Sequence, residues 1–314
     1  MLTNLSITGF RCFRQLDVEL KPLTVLIGAN DTGKSAFLDA IEYLGPSDPK
    51  TLAALDHFRG DSNKAMNVLG TLSDGQTRRL IAASKATPMS RFQIERFQLP
   101  TTGVSTECKG FDQNEMANLF LGQDGNRVAA LIDHLLRNDL TRFLELRDAL
   151  RRLVPGFEDI KIETPTAQTR RIDFVIEGGL RLPAQKTSAG VRLLLFFLAL
   201  VHHPNPPSII LLEEPETGIH PKRLKDVMQL LRGITQGQFG IAPVQVILTT
   251  HSPYLLDDVK PEEDQVLVFQ RDEDGSRTAK PVDWSRLKEY FDGFLLGEIW
   301  FNEEEVGLIA QGAS

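Results

Sequence analysis

Apolar and polar residues alternate at the start of the chain, with Leu5, Ile7 and Phe10, then Leu16, Val18 and Leu20, on the apolar side. A period of two predicts short strands, here two of them joined by a turn around Phe10 to Arg14 and paired as an antiparallel hairpin. Leu23 to Ile27 is instead an unbroken apolar run ending at Gly28, as in a strand buried on both faces. From Ser35 the spacing of Phe37, Leu38, Ile41 and Leu44 becomes helical, and Gly45-Pro46 stops it. Between about 50 and 110, Gly, Ser, Thr and Asp are scattered among strand-like pieces such as Arg91 to Leu99. Leu131, Leu135, Leu136, Phe143, Leu146, Leu150 and Leu153 then recur at helical spacing up to Pro155-Gly156. They predict a small helical lobe, too short for a coiled-coil arm.

Strand-like segments follow at Ile160 to Glu163 and Ile172 to Ile176, then a helix from about Gly190 to Val201. The back half alternates strand Ser208 to Leu212, helix Pro221 to Ile234, strand Val244 to Thr249 and a helix near Pro253 to Leu256, the order of a parallel α/β sheet. A last strand, Gln265 to Gln270, runs into an acidic turn at Arg271 to Ser276. The expected class is α/β: a mixed sheet core with an amino-terminal antiparallel β subdomain, in one domain over 1–314 with the helical lobe inserted at about 111–156.

Composition narrows the class without choosing a function. The chain has 314 residues, 41% hydrophobic and 25% charged, ordinary for a soluble globular protein. Its longest apolar run, Leu193 to Val201, breaks at His202-His203, short of the ~18 residues that span a bilayer. The amino terminus lacks a basic head and a long apolar segment, so no secretory signal is expected and the cytoplasm is the expected location. Cys12 and Cys108 give neither a disulfide framework nor a paired-cysteine zinc motif. A net charge of −7 argues against non-specific attraction of the whole chain to nucleic acid, though a local basic patch would still bind phosphates.

The chemistry begins at Gly28-Ala29-Asn30-Asp31-Thr32-Gly33-Lys34-Ser35, which matches G-x-x-x-x-G-K-[ST]. In that motif the backbone amides from Gly28 through Asn30, Asp31, Thr32 and Gly33 to Ala36 wrap phosphates, the Lys neutralises them, and the hydroxyl ligates Mg²⁺. Lys34 is therefore assigned to the β- and γ-phosphates of ATP and Ser35 to the metal. The competing reading, a Gly-rich turn with a surface Lys, lacks the strand and helix found on either side. A second element, Ile209 to Leu212 followed by Glu213-Glu214-Pro215-Glu216, is an apolar strand ending in carboxylates. Glu213 is assigned to the Mg²⁺ shell and Glu214 to the attacking water. The bland reading of this segment is an acidic first turn of a helix.

The run Leu212 to Pro221, followed by Leu248-Thr249-Thr250-His251-Ser252-Pro253, resembles the Walker B, D-loop and switch-histidine series of ABC-type ATPases. Its wording is similar to the SMC/RecF-like branch that includes the ATPase domains of OLD-family proteins, and Ile7 to Phe13 is similar to that branch's first hairpin. The resemblance implies a γ-phosphate contact for His251 and places His220 in the D-loop turn. Ser188 and Gly190, in Lys186 to Arg192, resemble the S-x-G core of the signature loop, although a plain helix N-cap has the same physical form. In that family the signature loop serves the nucleotide of an opposite subunit. A homodimer, or a pair with a related ATPase head, is therefore expected, with a separate effector protein such as a nuclease and with DNA as a candidate partner. The resemblance also implies DNA repair, maintenance or anti-phage defence, without a Toprim domain.

Two departures limit it. Glu213 stands where Asp is usual, and no Q-loop glutamine is assigned between Gln93 and Gln98. Arg11 is a candidate nucleotide contact with a surface role as its alternative, and His202-His203 are expected at a helix terminus. Two other functions share this chemistry: the ATPase subunit of a membrane transporter, and a scaffold that binds ATP without hydrolysing it.

Overall fold

Strands β1 (Leu2–Phe10) and β2 (Phe13–Glu19) form the expected antiparallel hairpin, with Leu5 opposite Val18 and Ile7 opposite Leu16. All four of these side chains are buried, as a period-two pattern with one covered face requires. Arg11, in the turn, takes the left-handed conformation at φ 46°. A computed structural model describes residues 1–45, 66–81, 93–112, 115–117, 119–272, 274–290 and 293–309. Pro46, the first two residues of the Arg91 to Leu99 piece and Glu273 of the acidic turn lie outside them.

The chain divides into two compact units: residues 1–96, 207–214 and 244–314, and residues 97–206 and 215–243. In the first, β3 (Leu23–Ile27) is buried along its whole length and leads to helix α1 (Lys34–Glu42). β1 also pairs with β4 (Asn67–Leu72), which pairs with β5 (Thr77–Ile81), giving a four-stranded antiparallel sheet in the order β2-β1-β4-β5. The second sheet adds β6 (Ile94–Gln98), β11 (Ile209–Glu213), β12 (Gln245–Thr249), β13 (Gln265–Arg271) and β14 (Arg277–Pro281) to β3. Its order is β14-β13-β3-β12-β11-β6. β11, β12, β3 and β13 run parallel, and β14 returns antiparallel. The apolar face of α1 enters one core with both sheets: Phe37 and Ile41 join Ile7, Phe10, Leu26 and Phe269, and the Phe37 and Phe269 rings meet edge to face at 5.3 Å. Helices α6 (Pro253–Leu256), α7 (Trp284–Tyr290) and α8 (Leu296–Leu308) belong to the same unit.

The second unit holds the expected helical pair, α2 (Val128–Asn138) and α3 (Leu140–Leu153), the latter capped by the Asp139 carboxylate on the Arg142 N–H. Beside them lies a sheet centred on β9 (Thr169–Ile176), with β8 (Phe157–Glu163) along one edge and β7 (Glu107–Lys109) and β10 (Leu180–Pro183) along the other. Helix α4 (Ala189–Val201) is buried continuously from Arg192 to Val201, which explains its unbroken apolar sequence. It ends at His202, as expected, and α5 (Pro221–Thr235) completes the unit.

Candidate functional site

Because β3, β12 and β11 are parallel neighbours, the segments that leave their carboxyl ends emerge at one edge of the sheet, where α/β proteins bind ligands. Three sequence-assigned groups arrive there: the glycine loop after β3, His251 after β12, and Glu213-Glu214 at the end of β11. Gly28 sits at φ 141°, and a Cβ on it would lie 2.4 Å from the Phe269 carbonyl oxygen, so only glycine lets the loop leave the sheet here. Gly33 is the N-cap of α1 at φ 102° and offers no capping side chain, leaving the first helical amides to another acceptor. That is the arrangement that takes a phosphate.

Lys34 is buried, and its Nζ donates to the carbonyls of Gly28 and Ala29 at 2.6 and 2.9 Å, so the ammonium lies across the loop it closes. Thr32 is buried and donates its hydroxyl to Ala29 O at 2.8 Å. Ser35, Asn30 and Asp31 are exposed, and Ala36 is half-buried in the first turn of α1. Ser35 and Glu213 supply hard oxygens of the kind Mg²⁺ takes, and an exposed hydroxyl beside uncapped helical amides fits a metal held jointly with phosphates. Among the described residues no group of three or more His, Cys, Asp or Glu side chains is placed to hold a metal unaided.

Glu214 is held in the left-handed region at φ 43°, where a Glu is uncommon. Its N–H donates to Thr249 O and Thr249 Oγ1, which fixes the chain as it turns off β11. Strain of this kind collects at functional sites. The Glu214 carboxylate stands 3.9 Å from His251 Nε2, with both side chains reaching solvent. His251 is placed by its neighbours: Thr250 N–H bonds to Leu26 O, and the Thr250 hydroxyl accepts from Ser252 N–H. Ser252 in turn caps α6.

Sequence reasoning missed Arg96 and Arg277 behind this edge, and it named Arg11 without its partner. Arg96 of β6 bonds the Glu213 carboxylate at 2.7 Å and also meets Asp39 and Glu42, one and two turns beyond Ser35 on α1. These carboxylates hold the guanidinium firmly protonated against its burial. Arg11 pairs with the other Asp39 oxygen and lies over the Phe10 ring, 5.5 Å from its centroid. Arg277 of β14 grips Asp31. All three partnerships join residues far apart in sequence, and no local pattern announces them. Gln93, exposed at the start of β6, uses its carbonyl to accept from Ser208 and Ile209 N–H.

In the second unit, Ser188 is the N-cap of α4, its hydroxyl accepting from Val191 N–H at 3.4 Å. A Cβ on Gly190 would lie 3.4 Å from Gly218 O, so the S-x-G turn rests directly on the turn after Pro215. His220 accepts from Lys222 N–H and caps α5, a structural job in the turn that follows Pro215. No helix among the described residues is long and apolar enough to cross a membrane.

The family model described as "AAA ATPase domain" matches residues 1–81, and that described as "AAA domain, putative AbiEii toxin, Type IV TA system" matches residues 124–257. The DNA replication and repair protein RecF of Pseudarthrobacter chlorophenolicus is 30% identical over 163 residues, an alignment covering 48% of this chain and 40% of that protein. The chain thus matches about two fifths of that relative's length. In architecture, an Smc head bound to the C-winged helix domain of ScpA matches with a TM-score of 0.55 at 14% identity, over 90% of this chain and 98% of that one. An Smc head with an extended coiled coil, bound to the C-terminal domain of ScpA derived from Pyrococcus furiosus, gives 0.52 at 12% identity, over 92% and 98%. The SMC head domain from Thermotoga maritima gives 0.50 at 13%, over 90% and 99%. The glycine loop and the carboxylate-ended strand thus share one sheet edge in a chain that resembles two ATPase-domain families and part of RecF, and whose fold is similar to that of the Smc heads.

Proposed function

We propose that the chain binds and hydrolyses Mg-ATP at the edge formed by Gly28 to Ser35, Glu214 and His251, and that two heads close on the nucleotide to switch a DNA-associated complex. The observation that carries the reading is the 3.9 Å approach of Glu214 to His251 at the sheet edge where the phosphate loop begins. Bound there, the metal supplies charge to the phosphoryl group, with Ser35 and Glu213 as the residues to hold it. Lys34 leaves the loop carbonyls for the phosphate oxygens. Glu214 takes the proton of the attacking water, and His251 orients the γ-phosphate.

Ser188 and Gly190 are the signature turn, offered to the nucleotide of a second head. The two units act as one ATPase domain with the helical lobe at about 111–156. The DNA association is supported by the likeness to RecF, a DNA replication and repair protein, and a separate effector by the likeness to Smc heads bound to ScpA. Light scattering of Glu214→Gln with Mg-ATP tests closure: the particle mass doubles on this account, and an unchanged mass contradicts the two-head model. Duplex DNA that neither binds at low salt nor changes turnover would remove direct DNA action.

A further inference from the structure

We propose that Arg277 is a positioning residue of the phosphate loop, holding Asp31 in its turn and cancelling the Asp31 carboxylate beside the incoming phosphates. The proposal rests on the reading that Gly28 to Ser35 takes a nucleotide's phosphates.

Asp31 lies mid-loop at φ 62°, a left-handed conformation that a non-glycine residue keeps only when its surroundings hold it. Arg277 does the holding from the edge strand β14. Its Nε donates to Asp31 O at 2.7 Å and its Nη2 to Asp31 Oδ2 at 2.9 Å. Nη1 donates to Gly275 O at 2.9 Å, and the Arg277 N–H to Cys12 O at 3.3 Å. The planar fork thus joins the loop to the β13–β14 turn, with divergent bonds that a single ammonium does not reproduce, and the main chain of the same residue ties in the β1–β2 turn.

The charge arrangement points the same way. The Asp31 side chain is 90% exposed while that of Arg277 is 8% exposed, so the carboxylate stands in the open on a loop built for anions and the compensating cation is packed beneath it. Without Arg277, that carboxylate opposes a triphosphate and the left-handed turn loses its tie. Glycine at position 31 needs neither service, because it adopts this φ freely and carries no charge.

The test is equilibrium titration of the full chain with a fluorescent ATP analogue and Mg²⁺, for wild type, Arg277→Met, Asp31→Gly and the double variant. Arg277→Met is expected to weaken binding about tenfold, as loss of a charge-assisted pair at the loop implies. Asp31→Gly keeps the loop amide and serves as the reference for the cycle, and the double variant regains at least about threefold over Arg277→Met. General loosening from loss of a packed arginine would not be repaired by removing an exposed carboxylate, so the rescue separates positioning from mere stability. Binding by Arg277→Met within about twofold of wild type, or a double variant no tighter than Arg277→Met, overturns the proposal alone. A wild-type chain that binds no ATP overturns the phosphate-loop reading, and the proposal with it.

Discussion

Arg96 and Glu213 form an ion pair at 2.7 Å at the end of β11, both side chains largely covered. The same guanidinium serves Asp39 and Glu42, so one cation, assisted by Arg11, offsets three carboxylates. Removing one partner of such a covered network leaves uncompensated charge and costs about 3 kcal/mol. Arg96→Ala is therefore expected to lower stability by that order in chemical denaturation. It also frees Glu213 and makes its surroundings more negative. The Mg²⁺ concentration for half-maximal ATP turnover should fall about threefold or more, because the freed carboxylate attracts a divalent cation more strongly. A rise, or no change, would take Glu213 out of the metal shell.

Gly28→Ala is predicted to be far more damaging than its size suggests. Its methyl group would stand 2.4 Å from the backbone oxygen of Phe269, in a strand that has no room to retreat, at a φ that L-residues avoid. A loss of roughly 2–4 kcal/mol in stability, together with loss of ATP binding, is expected. A variant that binds ATP as wild type does would show that the loop leaves the sheet by another path.

The pH dependence of stability has two opposed parts. His202 and His203 are buried, and burial pulls each from 6.5 down to about 4. In His203, Nδ1 accepts from Asn205 N–H, so Nε2 carries the proton and donates to Leu119 O. The unfolded chain binds these protons more readily, so stability is present above pH 6.5 and is lost as pH falls toward 4, by up to about 3 kcal/mol per histidine. Glu95 works in reverse. Burial raises its carboxyl from 4.5 to about 7, so the folded state keeps a proton that the unfolded state has released, and stability falls as pH rises between those values. Glu95→Gln should be more stable than wild type in urea at pH 8 and equal to it near pH 4. Equal midpoints at both pH values would mean that Glu95 is not held neutral.

The main strands were legible because burial on both faces leaves a largely apolar word: Leu23 to Ile27, Ser208 to Leu212 and Gln265 to Gln270 lie within a residue of the observed strands. The glycine loop and the glutamates stood out because each is a local pattern of fixed spacing, and both lie at one sheet edge. β5 escaped notice because Thr77-Arg78-Arg79 is polar, its strand conformation coming from pairing with β4. β14 and the helices α7 and α8 carry no strong period either. Arg96 and Arg277 were invisible for a deeper reason. Each acts on a carboxylate 117 or 246 positions away, and only the folded sheet brings these partners together.

The central claim is that Glu214 activates water at a working ATP site. Parallel measurement of ATP binding and steady-state phosphate release for wild type and Glu214→Gln tests it most directly. The account predicts binding within about threefold of wild type and turnover reduced at least about a hundredfold, as expected for loss of a general base. Turnover by Glu214→Gln within about threefold of wild type would contradict it.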